Sequence, residues 1–191
     1  MNNAGYGLTG ALEETSVQEA RDQFETNFFG VLRVTNAVLP GMRQAGYGRI
    51  VNISSVVGFI PAPFMGMYSA SKHAVEGYTE SLDHEIRQFG VRAVLVQPFY
   101  TKSNINQNEK TARTNLEAYA PQRRRMHEVV ANGVKHGDEP QLVAEAVFTA
   151  LTAKSPRLRY PVGRGVLLSR LRRFAPIALF DRAIRKESAL N

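Results

Sequence analysis

Two short apolar runs constrain the fold of this chain more than anything else in it. Residues 49–54 read Arg-Ile-Val-Asn-Ile-Ser, and residues 91–97 read Val-Arg-Ala-Val-Leu-Val-Gln. Both follow glycine, and both are rich in β-branched residues without strict polar alternation. That is the pattern of strands buried on both faces. Between them, Tyr68, Ala74, Val75, Tyr78, Leu82 and Ile86 recur at helical spacing over 68–89, with Gly90 placed as a C-cap. Strand, long helix, strand is a βαβ unit, which implies a parallel sheet with helices on its faces.

The flanking sequence extends this α/β pattern. Residues 1–15 read as a Gly-rich loop. Residues 16–43 have a helical period in Val17, Phe24, Phe28, Val31, Val38 and Leu39, with Ser16 and Glu19 spaced as a capping box. Asn27-Phe28-Phe29-Gly30 predicts a bend in that helix. Residues 55–67 read as loop. Residues 99–137 are polar and weakly patterned, and predict a mobile segment over a site. A helix over 140–153, started by Asp138 and Pro140, precedes a short strand at 157–162. Residues 166–187 predict one or two amphipathic helices broken near Pro176. With no internal repeat and no splitting linker, residues 1–191 read as a single domain.

Composition removes several classes of function. The chain has 191 residues and no Cys, so disulfides, thiolate nucleophiles and Cys-based zinc sites are excluded. No metal is expected, since His73, His84, His127 and His136 lack ligand spacing. No apolar run approaches the ~18 residues of a spanning helix. The opening MNNAGYGLTG lacks the basic head and apolar stretch of a secretory signal, so the location expected is cytoplasmic. The formal charge is +7, and much of the excess falls late in the chain. No nucleic-acid-binding motif accompanies it, so nucleic acid is not the expected partner. The Arg-rich, one-sidedly apolar 166–187 stretch suits peripheral contact with an anionic membrane, or a helix that closes a substrate pocket; the second reading is favoured.

Gly5-Tyr6-Gly7-Leu8-Thr9-Gly10 matches the dinucleotide-binding pattern letter for letter. That pattern has a mechanism only between a strand and a helix whose N-terminus faces a pyrophosphate. Four residues precede it here, too few for the strand, so it is set aside.

The chemistry-bearing constellation lies elsewhere. Tyr68 and Lys72 stand four apart on one helix face, and Ser55 lies 13 residues before Tyr68, just past the first strand. The carboxyl end of a parallel strand is where open α/β sheets bind ligands. A cation beside a phenol stabilises phenolate and lowers its pKa, so Tyr68 is expected to exchange a proton near neutral pH. Phe59, Phe64, Met65, Met67 and Tyr100 are candidates either for a lipophilic pocket or for the core.

Taken together, Gly48-Arg-Ile-Val-Asn-Ile-Ser-Ser55, Pro61 and Tyr68-Ser-Ala-Ser-Lys72 resemble the short-chain dehydrogenase/reductase family. Asn2-Asn3-Ala4-Gly5, the helix bearing Asn27, and Gln97-Pro98 extend the resemblance over nearly the whole chain. It implies the C-terminal part of a doubly wound, Rossmann-type parallel sheet with flanking helices and a C-terminal helical extension. It implies hydride transfer between NAD or NADP and a secondary alcohol or ketone, expected to be lipophilic, in a homodimer or homotetramer. Tyr68 would be the acid/base. Ser55 would orient the substrate oxygen. Lys72 would lower the Tyr68 pKa and hold the nicotinamide ribose, and Asn27 would anchor a water linked to Lys72. Asn3, Ala4 and Gly5 would lie along the cofactor, and Pro98, Thr101 and Ser103 would meet its carboxamide. The segment 99–137 would select the substrate.

The chain departs from the family pattern in two ways. Phe99 stands where Gly usually follows Pro98, and Ser103 stands where Thr is usual. Members of the family also carry a first strand, a Gly-rich phosphate loop and further βα units before Asn-Asn-Ala-Gly, about 80 residues in all. By that measure the chain is an N-terminally truncated member, and 49–54 is expected to form an unpaired sheet edge. The alternative reading is a catalytically incompetent member that acts only as a binding or dimerisation partner.

Overall fold

In a computed structural model of the protein, residues 1–102, 109–188 and 190 are described. A three-stranded parallel sheet runs in the order β2 (Gly48–Ile53), β3 (Val91–Gln97), β5 (Arg159–Pro161). The crossover from β2 to β3 is α3 (Gly66–Ile86), as the flanking runs require. Side chains of β3 alternate between two apolar layers. Ala93 and Leu95 face α3 and α2 (Gly30–Ala45), while Val94 and Val96 face α5 (Pro140–Thr152). All four are fully buried, which is why the strand carries no polar alternation.

The edge of β2 is not wholly bare. Asn2 runs parallel to it, donating its N–H to Val51 O at 2.8 Å and accepting from Ile53 N at 3.0 Å. Its side-chain amide donates to Asn52 Oδ1 at 2.7 Å. The expectation of an unpaired edge is corrected to that extent.

The first predicted helix divides into α1 (Val17–Phe24), a π-helical turn over Glu25–Phe29, and α2. Ser16 and Glu19 form the expected capping box. The bend expected at Asn27–Gly30 is thus one wide turn that leaves the helix continuous. The loop expected over 1–15 holds a two-residue strand, β1 (Leu8–Thr9), paired in parallel with β4 (Lys110–Thr111). The weakly patterned segment contains a 16-residue helix, α4 (Ala120–Lys135), which corrects its reading as irregular. Helix α5 takes Glu139 as its N-cap, because the Asp138 carboxylate accepts instead from Arg164 N at 3.3 Å. The C-terminal pair is α6 (Gly165–Phe174) and α7 (Ile177–Glu187), separated at Pro176 as expected. Among the described residues no helix is long and apolar enough to cross a membrane.

Two glycines set the sheet entry. Gly46 ends α2 at φ 67° and Gly90 ends the turn after α3 at φ 71°, both left-handed. A Cβ on Gly90 would overlap the Gly46 carbonyl oxygen, whereas one on Gly46 would meet nothing within 4 Å. Gly46→Ala is therefore expected to cost about 1–2 kcal/mol from backbone strain alone. Gly90→Ala should cost clearly more, because the clash is with backbone. Urea unfolding of the two variants checks the ranking, and equal costs would contradict the close approach.

Candidate active site

The fold brings the predicted polar residues to the carboxyl end of β2. The strand stops at Ile53, the chain turns at Ser54 and Ser55, and α3 begins at Gly66 with Tyr68 in its first turn. The Ser55 hydroxyl accepts from Val57 N at 3.3 Å and lies 3.5 Å from Pro98 O. The neighbouring Ser54 Oγ is instead buried, with no hydrogen-bond partner among the described residues. Lys72, one turn after Tyr68, donates to Ile53 O at 2.8 Å, and its Nζ stands 5.8 Å from the Tyr68 ring centre.

Asn27 is buried and its side-chain hydrogens are both used. Its Oδ1 accepts from Tyr6 N at 3.0 Å, and its Nδ2 donates to Tyr6 O at 3.0 Å and to Ser71 Oγ at 3.1 Å. Asn27 therefore clamps the Gly5–Tyr6 backbone to α3. A Cβ on Gly5 would stand 3.1 Å from Asn27 Oδ1 and 3.6 Å from Lys72 Nζ. Only a residue without a side chain leaves that approach open.

All of these groups except Tyr6, Asn27 and Ser71 border a cavity of about 810 Å³ with mostly apolar walls. Asn3, Gly5, Ser55, Tyr68, Lys72, Pro98 and Thr101 line it, while Ala4 does not. The Thr101 hydroxyl donates to Phe99 O at 3.0 Å. Ser103 lies outside the described residues. Phe99 also lines the cavity, with its ring centre 4.7 Å from that of Tyr100. Of the five lipophilic candidates, Met65 and Tyr100 line the cavity, and Phe64 is buried in the core beside it.

Helix α4 supplies walls that sequence reasoning missed: Met126, Val129 and Val130. The signal was present in Met126 and Val130, spaced four apart, and in Pro121 at the helix start, but arginines diluted it. An ion pair between Arg123 and the buried Glu14 anchors this helix. Glu14 also accepts from Ala11 N at 2.9 Å and Leu116 N at 2.8 Å, and Tyr119 donates to Glu13 at 2.7 Å.

Burial governs the electrostatics. Desolvation pushes the Tyr68 phenol up to about 12, and the nearby Ser55 hydroxyl only partly offsets it. Desolvation pushes Lys72 down to about 8, against the pull of the Glu76 carboxylate. In the free chain burial outweighs any lowering of the Tyr68 pKa by the Lys72 ammonium. Both groups disfavour charge for the same reason, the loss of water. At neutral pH Tyr68 is a proton donor and Lys72 is mostly charged.

The glycine motif behaves as its context predicted. Gly5–Gly10 contains β1 and is followed by a single 3₁₀ turn, Leu12–Glu14. At the other glycine turn, Gly163–Gly165, the Asp138 carboxylate occupies the approach: a Cβ on Gly163 would overlap it.

Residues 1–114 match the family model described as short chain dehydrogenase. The chain belongs to the short-chain dehydrogenase/reductase family. It is 38% identical over 189 residues to 3-ketodihydrosphingosine reductase from Bacteroides thetaiotaomicron, covering 97% of this chain and 70% of that protein. The crystal structure of a short-chain dehydrogenase from Streptomyces avermitilis superposes with a TM-score of 0.81 at 33% identity, covering 97% of this chain and 69% of the other. A short-chain dehydrogenase/reductase from Burkholderia phymatum, solved in complex with NAD, gives a TM-score of 0.76 at 30% identity, covering 93% and 65%. The fold is thus that of an oxidoreductase family, and the parallel sheet is its Rossmann-type sheet.

The Lys72 environment has a direct readout. A carbon-detected NMR titration of the Lys72 side chain in the free chain should give a midpoint near 8 rather than the ordinary 10.5. Between those two values the unfolded chain holds a proton that the folded chain has released. Lys72 therefore makes stability rise with pH across that window. A midpoint at or above the ordinary value would contradict the buried placement.

Proposed function

We propose that the cavity carries out nicotinamide-dependent reduction of a lipophilic ketone to a secondary alcohol. The observation that carries this reading is the convergence of Ser55, Tyr68 and Lys72 on one side of the 810 Å³ apolar cavity. The ordinary proton state of Tyr68 favours reduction: with its pKa near 12, the phenol holds the proton that a carbonyl oxygen needs.

The residues present fit the nicotinamide and ribose half of NAD or NADP. The bare Gly5 Cα opens an approach beside Lys72 Nζ, whose ammonium can donate to a ribose diol. Asn3, Pro98 and Thr101 line the same stretch of wall. A reduced nicotinamide, when bound, supplies the hydride to the carbonyl carbon. Tyr68 donates its proton to the carbonyl oxygen, and the Ser55 hydroxyl donates a hydrogen bond that holds that oxygen in place. Lys72 offsets the negative charge left on Tyr68. Asn27 acts as a positioning residue, fixing the Gly5–Tyr6 backbone against α3. The apolar walls exclude water and suit an apolar substrate body. The ketone in the name of the Bacteroides thetaiotaomicron relative, 3-ketodihydrosphingosine, is of that lipophilic class, and the Burkholderia phymatum structure carries NAD.

Replacing Tyr68 by Phe removes only the hydroxyl. Reduction of a long-chain ketone with NADH or NADPH should fall by roughly 10²-fold or more, while thermal unfolding stays close to that of the parent. Unchanged turnover would overturn the assignment. If the parent chain neither binds NADH or NADPH by calorimetry nor turns over, the reading as a non-catalytic binding partner takes its place.

A further inference from the structure

Helices α6 and α7 carry apolar residues on two sides, where closing a cavity needs one. Inward, Leu168, Phe180 and Ile184 line the cavity wall. Outward, Leu167, Leu171 and Phe174 form a stripe at i, i+4 and i+7 with exposures of 63%, 45% and 79%. Ile177 and Leu179 continue it around Pro176 with exposures of 72% and 57%. Large side chains exposed together at a corner leave an apolar patch in water.

The charge around this patch is one-sided. Residues 164–187 hold seven cations, Arg164, Arg170, Arg172, Arg173, Arg182, Arg185 and Lys186, against Asp181 and Glu187. Five of the chain's seven net positive charges therefore sit on residues 164–187. Most of these cations are exposed beside the apolar corner. A second copy meeting this face across a two-fold axis would bring the same cations together, which opposes pairing. An anionic lipid surface offers both what the cations attract and what the apolar corner needs.

We propose that the α6–α7 corner docks the protein peripherally on an anionic phospholipid bilayer. Phe174, Ile177 and Leu179 enter the acyl boundary, and the arginines engage lipid phosphates. Because the same helices wall the cavity, docking sets that wall against the lipid phase, where a lipophilic ketone would partition. That last consequence rests on the proposed reaction; the docking itself does not.

The test is flotation of the whole chain with vesicles of phosphatidylcholine alone, or with about 30% phosphatidylglycerol added. Binding is expected on the anionic vesicles, and should be roughly tenfold weaker on the neutral ones and in high salt. The triple substitution Phe174→Ser, Ile177→Ser, Leu179→Ser changes exposed positions only. It should lower anionic-vesicle binding by roughly tenfold or more, while circular dichroism and any reduction of a water-soluble ketone stay unchanged. The proposal is overturned if the parent ignores anionic vesicles or if the triple variant binds as the parent does. It is equally overturned if the substitutions change only the self-association seen in sedimentation velocity. Vesicle binding is read without turnover, and turnover without vesicles, so failure of either claim is recognised separately.

Discussion

The parallel pairing of β2 with β3 is the constraint from which the rest of the structure follows. Two parallel neighbours need a crossover, and the crossover here is α3. Its first turn must begin near the carboxyl end of β2 and its last must return to the start of β3. Tyr68 and Lys72 lie in the opening turns of α3, so they arrive where the strand ends and its last carbonyl is available. The Lys72–Ile53 hydrogen bond is that arrangement made visible: a helix side chain meets the strand that launched it. The site's position is thus a result of sheet topology, and its chemistry is a result of which residues occupy those turns.

What could be read in advance follows from how local each signal is. β2, β3 and α3 were legible because their patterns are complete within a few residues and are closed by glycines that take left-handed turns. The Ser16–Glu19 box was legible for the same reason. Helix α4 was not, because its buried positions are few and its arginines dominate the pattern; the counter-ion of Arg123 is Glu14, more than a hundred residues earlier. Asp138 misled because its partner, Arg164, is brought near by β5 and not by sequence. The direction of the Tyr68 pKa was not legible from pairwise charge alone, and no sequence pattern spoke to that of Lys72. Desolvation depends on everything packed around the pair, including Met65, Met126 and Val130 from segments far apart in the chain.

The same burial divides the labour within the site. A dry cavity holds the phenol protonated and weakens the hold of Lys72 on its own proton. Any negative charge that forms on Tyr68 draws on the ammonium one turn away, in surroundings where charges are poorly screened. Ser55 lies just past the strand end and lines the same cavity as the phenol, with its hydroxyl engaged by the backbone at Val57.

The anchoring of α4 bears on the shape of the cavity. The Glu14 carboxylate is fully buried and gathers two backbone amides as well as Arg123. Parting that carboxylate from Arg123 leaves a buried charge uncompensated, a cost of about 3–5 kcal/mol. The helix is therefore held where it stands, and with it Met126 and Val130 in the cavity wall. The room left for an occupant is thus fixed in part by an ion pair that does not itself line the cavity.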